Sequence, residues 1–200
     1  MKKLGFTLAE VLITLIVIGV IAALTIPAIM NNIKGREYKS ALNKAFSTTN
    51  QALAMHYATE GEGVSASRSQ QSPFHYFGHE IFLKHLKMTP IYYFPGHDTW
   101  CTDGGGAMSV DGIIYCIDLS NINFGNDSGD PATTACNANN TVPCANDFTK
   151  PNLYVDVNGD KGPNELTTDP KSPKDQYQAM LYDQKAIPFG EATQQFMYSK

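Results

Sequence analysis

From Phe6 to Met30 the chain is a run of apolar residues in which the only charged side chain is Glu10. Roughly 20 apolar residues, each rising 1.5 Å in a helix, cover a hydrocarbon core of about 30 Å, so the run predicts a membrane-spanning helix. Beyond Met30 the pattern changes character without stopping. Tyr38, Leu42, Ala45, Phe46, Thr49, Leu53 and Tyr57 recur every three or four residues, while Lys39, Asn43, Lys44, Asn50 and Gln51 fall on the other face. That is an amphipathic stripe, and it predicts one helix from residue 6 to about residue 59, on the order of 80 Å long. Glu60-Gly61-Glu62-Gly63 and a Ser/Gln-rich stretch up to Pro73 end it.

A second helix is predicted over residues 74–86, where Phe74, Phe77, Ile81, Phe82 and Leu86 keep helical spacing before Thr89-Pro90. The period then shortens to two. Residues 107–110 and 113–117 flank Asp111-Gly112, which reads as the two-residue turn of a hairpin. Residues 119–150 lack periodicity and read as a long loop. Residues 152–157 and 177–182 are strand candidates, joined through Asn158-Gly159-Asp160-Lys161-Gly162-Pro163-Asn164, with Asp183-Gln184-Lys185 turning the chain afterwards. The expected fold class is α+β: a long N-terminal helix packed against an antiparallel sheet of about three to five strands.

The head of the apolar run carries a recognisable motif. Gly5, then Phe6-Thr7-Leu8-Ala9-Glu10, then an apolar stretch containing Gly19 and Pro27, resembles the type IV pilin and type II secretion pseudopilin family. The segment VDVNGDKGPNEL is similar to the C-terminal strand and loop of many pilin-like proteins. The resemblance implies cleavage after Gly5 by a prepilin peptidase and N-methylation of the new terminus on Phe6. It also implies that Glu10 pairs with the terminal amine of a neighbouring subunit, and that Gly19 and Pro27 allow the helix to bend in an assembled fibre. The implied organisation is a leader over 1–5, a transmembrane and assembly helix over 6–30, its amphipathic continuation over 31–60 and a head over 61–200. The implied partners are the peptidase/N-methyltransferase, other pilin or pseudopilin subunits, an inner-membrane assembly platform and membrane lipid. The implied location is the inner membrane, single-pass, with the head outside the cytoplasm before the chain joins a pilus or periplasmic fibre.

An ordinary secretory signal fits less well, because its apolar region spans about 7 to 15 residues and ends at a small-residue cleavage site. Lys34, Arg36, Lys39 and Lys44 rival Lys2 and Lys3, so charge alone does not orient the span.

Composition adds constraints. The net charge is −4, and it falls to −6 once Lys2 and Lys3 leave with the leader, which gives no signal for nucleic acid. Four cysteines, Cys101, Cys116, Cys136 and Cys144, include no Cys-x-x-Cys pair and point to disulfides in an oxidising compartment; three pairings are open. Cys101 with Cys116 and Cys136 with Cys144 is one of them. His75 and His79 stand four apart without a matched third ligand. Asp156, Asn158 and Asp160 alternate like the opening of a calcium loop, but Lys161 stands where the turn glycine belongs and Thr167 where the bidentate glutamate belongs. A calcium site on these three, extended by Asn164, Glu165 or Asp169, and a plain Asn/Gly/Asp turn are both open. No hydrolase elbow, phosphate loop or His-Glu-x-x-His motif is present, so the expectation is a structural subunit with no cofactor beyond that calcium. The alternative is an exported, membrane-anchored ligand-binding module or enzyme whose site follows no familiar pattern.

Overall fold

The computed structural model describes residues 5, 7–61, 63, 81–91, 106–118, 121, 141–145 and 147–199. The chain forms two compact units, Met1–Glu37 and Tyr38–Lys200. Helix α1 (Leu8–Glu60) contributes to both and is assigned helical throughout, including Gly19 and Pro27. The expected bend is therefore not a break in the helix of the single chain. Pro27 supplies no N–H, so one backbone bond is missing there while the surrounding turns persist.

Within the first unit, Leu8–Pro27 has a mean hydropathy of 2.6 and is long and apolar enough to cross a membrane. Its large apolar side chains, among them Leu12, Ile16, Val20 and Leu24, are all exposed. The hydroxyls in this stretch are satisfied by the helix itself. Thr14 Oγ1 donates to the Val11 carbonyl at 2.9 Å and Thr25 Oγ1 to the Ile21 carbonyl at 2.9 Å, as polar groups in an apolar medium require.

The second unit is an α+β fold. Its sheet has six antiparallel strands in sequence order: β1 (Thr89–Ile91), β2 (Gly106–Met108), β3 (Ile114–Ile117), β4 (Leu153–Asp156), β5 (Gln176–Leu181) and β6 (Ala186–Pro188). A short helix, α2 (Glu191–Tyr198), follows. Leu42, Ala45, Phe46, Ala52 and Leu53 form the buried stripe of α1, and they share a core with Tyr115, Ile117, Leu153, Val155, Tyr177, Ala179 and Leu181. These strand residues alternate, as a sheet with one face on a helix demands. Ile114, Cys116 and Tyr154 occupy the opposite face. Phe196 of α2 stacks on Tyr177, with ring centroids 5.4 Å apart.

Three expectations change. The sheet has six strands, because the edge strands β1 and β6 are only three residues long and each contains a proline, which hides them from a propensity reading. The hairpin is not a two-residue turn on Asp111-Gly112, since Met108 pairs with Ile114 and the five residues between form the connection. Ser109 builds it: its carbonyl accepts the Gly112 N–H, its N–H donates to the Ile113 carbonyl and its hydroxyl bonds Asp111 Oδ1. Gly112 alone takes a positive φ there, so the turn needs one left-handed residue instead of two. Helix α2 is new. Of the predicted helix over 74–86, Ile81–His85 is helical, and its earlier residues, with His75 and His79, lie outside the described residues.

Buried amides staple the head. Asn152 donates Nδ2–H to the Cys144 carbonyl at 2.7 Å and accepts the Leu181 N–H at 2.7 Å, tying the 141–145 segment to β5. Asn121 donates to the carbonyls of Asp147, Lys150 and Pro151 and accepts the Asp147 N–H. Asn50 of α1 acts on the sheet edge in the same way. Its Oδ1 accepts the Ala186 N–H at 2.7 Å and its Nδ2 donates to the Ala186 carbonyl at 3.3 Å, so a side-chain amide occupies the place of a further strand beside β6.

Candidate functional site

The helix start is built by Thr7 and Glu10. Thr7 precedes the first helical residue, and its hydroxyl accepts the Glu10 N–H at 3.3 Å. The Glu10 carboxylate in turn accepts the Thr7 N–H and hydroxyl, each at 2.8 Å. This reciprocal arrangement is a capping box, encoded by Thr7-x-x-Glu10 ahead of an apolar run. Sequence reasoning assigned Glu10 to intersubunit pairing and missed this local role, although the Thr-x-x-Glu spacing announces it. Both residues are exposed, so the carboxylate is open to a second partner.

Among the described residues, a side chain added at Gly5 or Gly19 would meet nothing within 4 Å. Phe6 lies outside the described residues.

The loop after β4 was the calcium candidate, and its donor set does not fit that ion. The Asp156 carboxylate is fully buried; Oδ1 accepts the N–H groups of Asn158 at 3.1 Å and Gly159 at 2.8 Å, and Oδ2 accepts Gln176 Nε2–H at 3.1 Å. Asp175 is likewise spent on the N–H groups of Asn164 and Glu165, at 2.8 and 2.9 Å. Asp160 points to solvent, in a 3-10 turn over Gly159–Lys161. Among the described residues no three His, Cys, Asp or Glu side chains converge for a metal. The buried amide oxygens Asn158 Oδ1 and Asn164 Oδ1 have no donor, but with Asp156 and Asp175 engaged by N–H groups and Asp160 exposed, two neutral oxygens fall short of the six to eight ligands calcium takes. Asp156, Asn158 and Asp160 thus serve a turn. Gly159 is needed in it: its φ is +65°, and a Cβ would stand 2.6 Å from the Gly112 carbonyl oxygen. Thermal melts of the chain in calcium and in chelator are expected to superimpose; a melting temperature that rises with calcium would overturn this assignment.

Burial raises the Asp156 pKa to about 6, with the neighbouring Asp175 charge acting in the same direction and the hydrogen bonds from Gln176, Asn158 and Gly159 opposing it. In the unfolded chain the group titrates near 3.9, so between about pH 4 and 6 the folded state binds the extra proton. The stability this proton confers is fully present below about pH 4 and is lost as pH rises through 6. A shift of this size corresponds to on the order of 2–3 kcal/mol. Asp156→Asn removes the titration, so the difference in unfolding free energy between variant and parent is expected to change across that window and to be flat outside it. Denaturant titrations from pH 4 to 7.5 measure it; parallel profiles would contradict it.

Neither Cys116 nor Cys144 is a free thiol. They belong to clusters on opposite faces of the sheet, while Cys101 and Cys136 lie outside the described residues. Set against known proteins, the chain matches no family model, no curated protein and no solved structure.

Proposed function

We propose that the chain is a prepilin: a structural subunit, pilin or pseudopilin, held in the inner membrane by α1, cut after Gly5, methylated on Phe6 and assembled through residues 6–30 into a helical fibre. The observation that carries this reading is one continuous helix whose first part is apolar on every side with a lone carboxylate at its head, and whose second part is the core helix of a sheet. A helix apolar all round belongs in lipid or among other helices, whereas a one-sided stripe belongs under a folded layer. Gly5, directly ahead of Phe6 and the apolar run, supports the reading as the position after which the resemblance implies the cut. The head faces the oxidising side, with Cys101 joined to Cys116 and Cys136 to Cys144. Placement of Cys116 and Cys144 on opposite faces disfavours a bond between those two.

Gly5→Leu is the variant that tests the processing step. A bulky side chain beside the scissile bond is expected to leave residues 1–5 attached, with insertion unaffected because the apolar run is untouched. Mass spectrometry of membrane fractions reads the result, and a variant chain that still begins at Phe6 would remove the peptidase assignment.

A further inference from the structure

The last turns of α1 meet the 81–85 turn through two contacts of different chemistry. His56, buried at 2% exposure, sets its Nδ1 3.3 Å from Nε2 of His85, with the rings edge to face at 70°. One helical turn further on, the Glu60 carboxylate bonds Lys84 Nζ at 2.5 Å. Both members of that ion pair are exposed, so it contributes little by itself. The same turn sends Ile81 and Phe82 into the core, where the Phe82 ring lies 5.2 Å from that of Tyr115.

Two imidazole nitrogens that face each other share one hydrogen. In the neutral pair one ring donates and the other accepts, whichever ring carries the hydrogen. A first added proton is tolerated, because an imidazolium still donates to a neutral ring. A second sets N–H against N–H and cation against cation, and the bond is lost. His56 also interacts elsewhere, and the conflict at the facing nitrogens arises whatever that partner is. The described charges about the pair are Glu60 and Lys84, with Lys44, Lys87 and Asp111 lining the open cavity of about 290 Å³ that His85 also lines. Hydrogen bonds from Lys84 and Lys44 hold the Glu60 and Asp111 carboxylates below the usual carboxylate range, so both acids keep their charge while the imidazoles titrate. The cavity gives His85 a route to protons from solvent.

We propose that His56 and His85 form an acid-released catch between the end of α1 and the 81–85 turn. The catch holds above about pH 6.5, the ordinary imidazole value, and gives way as the pH falls toward 5. The freed segment leads through Leu86 and Met88, which pack at the margin of the core, into the edge strand β1. Acid therefore loosens one margin of the sheet while the buried stripe from Leu42 to Leu53 stays in place. The device lies within the head and is independent of processing and assembly at the other end of the chain.

Hydrogen–deuterium exchange of the full chain in detergent at pH 7.5 and pH 5, corrected for the intrinsic pH dependence of amide exchange, tests it. The Leu86 N–H, bonded to the Phe82 carbonyl at 3.0 Å, is the reporter. Excluding one proton from an imidazole of ordinary value amounts to about 30-fold in an opening equilibrium at pH 5, so protection over residues 81–88 is expected to fall at least about 10-fold there, while residues 42–53 stay protected. His85→Gln keeps a side chain that donates and accepts but removes the titration, so its protection over 81–88 is expected to differ by less than about 2-fold between the two pH values. His56→Gln repeats the comparison from α1, and exchange over 42–53 that matches the parent at pH 7.5 establishes that each variant folds. Asp156 titrates in the same window, but it stabilises the fold as the pH falls and so does not mimic the loss. Unchanged protection over 81–88 in the parent at pH 5 overturns the inference, and so does an acid response that both variants retain.

Discussion

Glu10→Leu is expected to enter the membrane, lose its leader and fail to assemble. Insertion becomes easier, since a carboxylate within a membrane helix costs about 3 kcal/mol on the translocon scale. Under the proposed function, cleavage reads residues around Gly5 and is expected to be retained. What disappears is the negative charge that, under the proposed function, pairs with the terminal amine of an adjoining subunit, an attraction that strengthens where water is scarce. The capping box supplies the control. Glutamine serves at the third helical position of such a box, so Glu10→Gln keeps the helix start and removes only the charge. Thr7→Ala does the reverse, keeping the charge and giving up a cap that contributes about 1 kcal/mol. Crosslinking between cysteines placed on neighbouring N-terminal helices should therefore be lost in Glu10→Gln and Glu10→Leu and retained in Thr7→Ala. Loss in Thr7→Ala with retention in Glu10→Gln would make the cap, and not the charge, the functional feature.

The largest effect on the head alone is expected at Asn152. Asn152→Ala removes the donor to the Cys144 carbonyl and the acceptor for the Leu181 N–H, both supplied by this fully buried amide. Each stranded buried group costs about 1–3 kcal/mol, so the variant should lose roughly 3 kcal/mol or more, a large part of the stability of a domain this size. Asn152→Asp separates the two bonds: it still accepts from Leu181 but sets an oxygen against the Cys144 carbonyl. Urea unfolding of the full chain in detergent measures both. A loss under about 1 kcal/mol in Asn152→Ala would mean that water replaces the amide.

How much of this was legible in the sequence differs by element. The long helix was legible because its periodicity runs over many turns, and the strands β3, β4 and β5 because they are short runs of four to six almost wholly buried residues rich in aromatic and aliphatic side chains. The edge strands were not: Thr89–Ile91 and Ala186–Pro188 carry prolines and owe their pairing to neighbours distant in sequence. Helix α2 was hidden because only Thr193 and Phe196 of its residues are buried, too few to set a period. At the N-terminus, Gly5, Glu10, Gly19 and Pro27 could be singled out by order and spacing, and the Thr7 cap could have been read from the same few residues. The staples Asn50, Asn121 and Asn152 carry no sequence signal, since each acts on backbone groups of other segments. For Asp156 and Asn158 the residue types suited calcium and a turn equally, and only the direction of the carboxylate decided between them.

The central claim is that this chain is a processed fibre subunit, and the N-terminus of the mature protein tests it most directly. Mass spectrometry of the N-terminal peptide from membrane-extracted protein should find a chain beginning at Phe6 with a methylated amine. A mature chain beginning after Ala23 or Ala28, or one that keeps residues 1–5, would contradict the account.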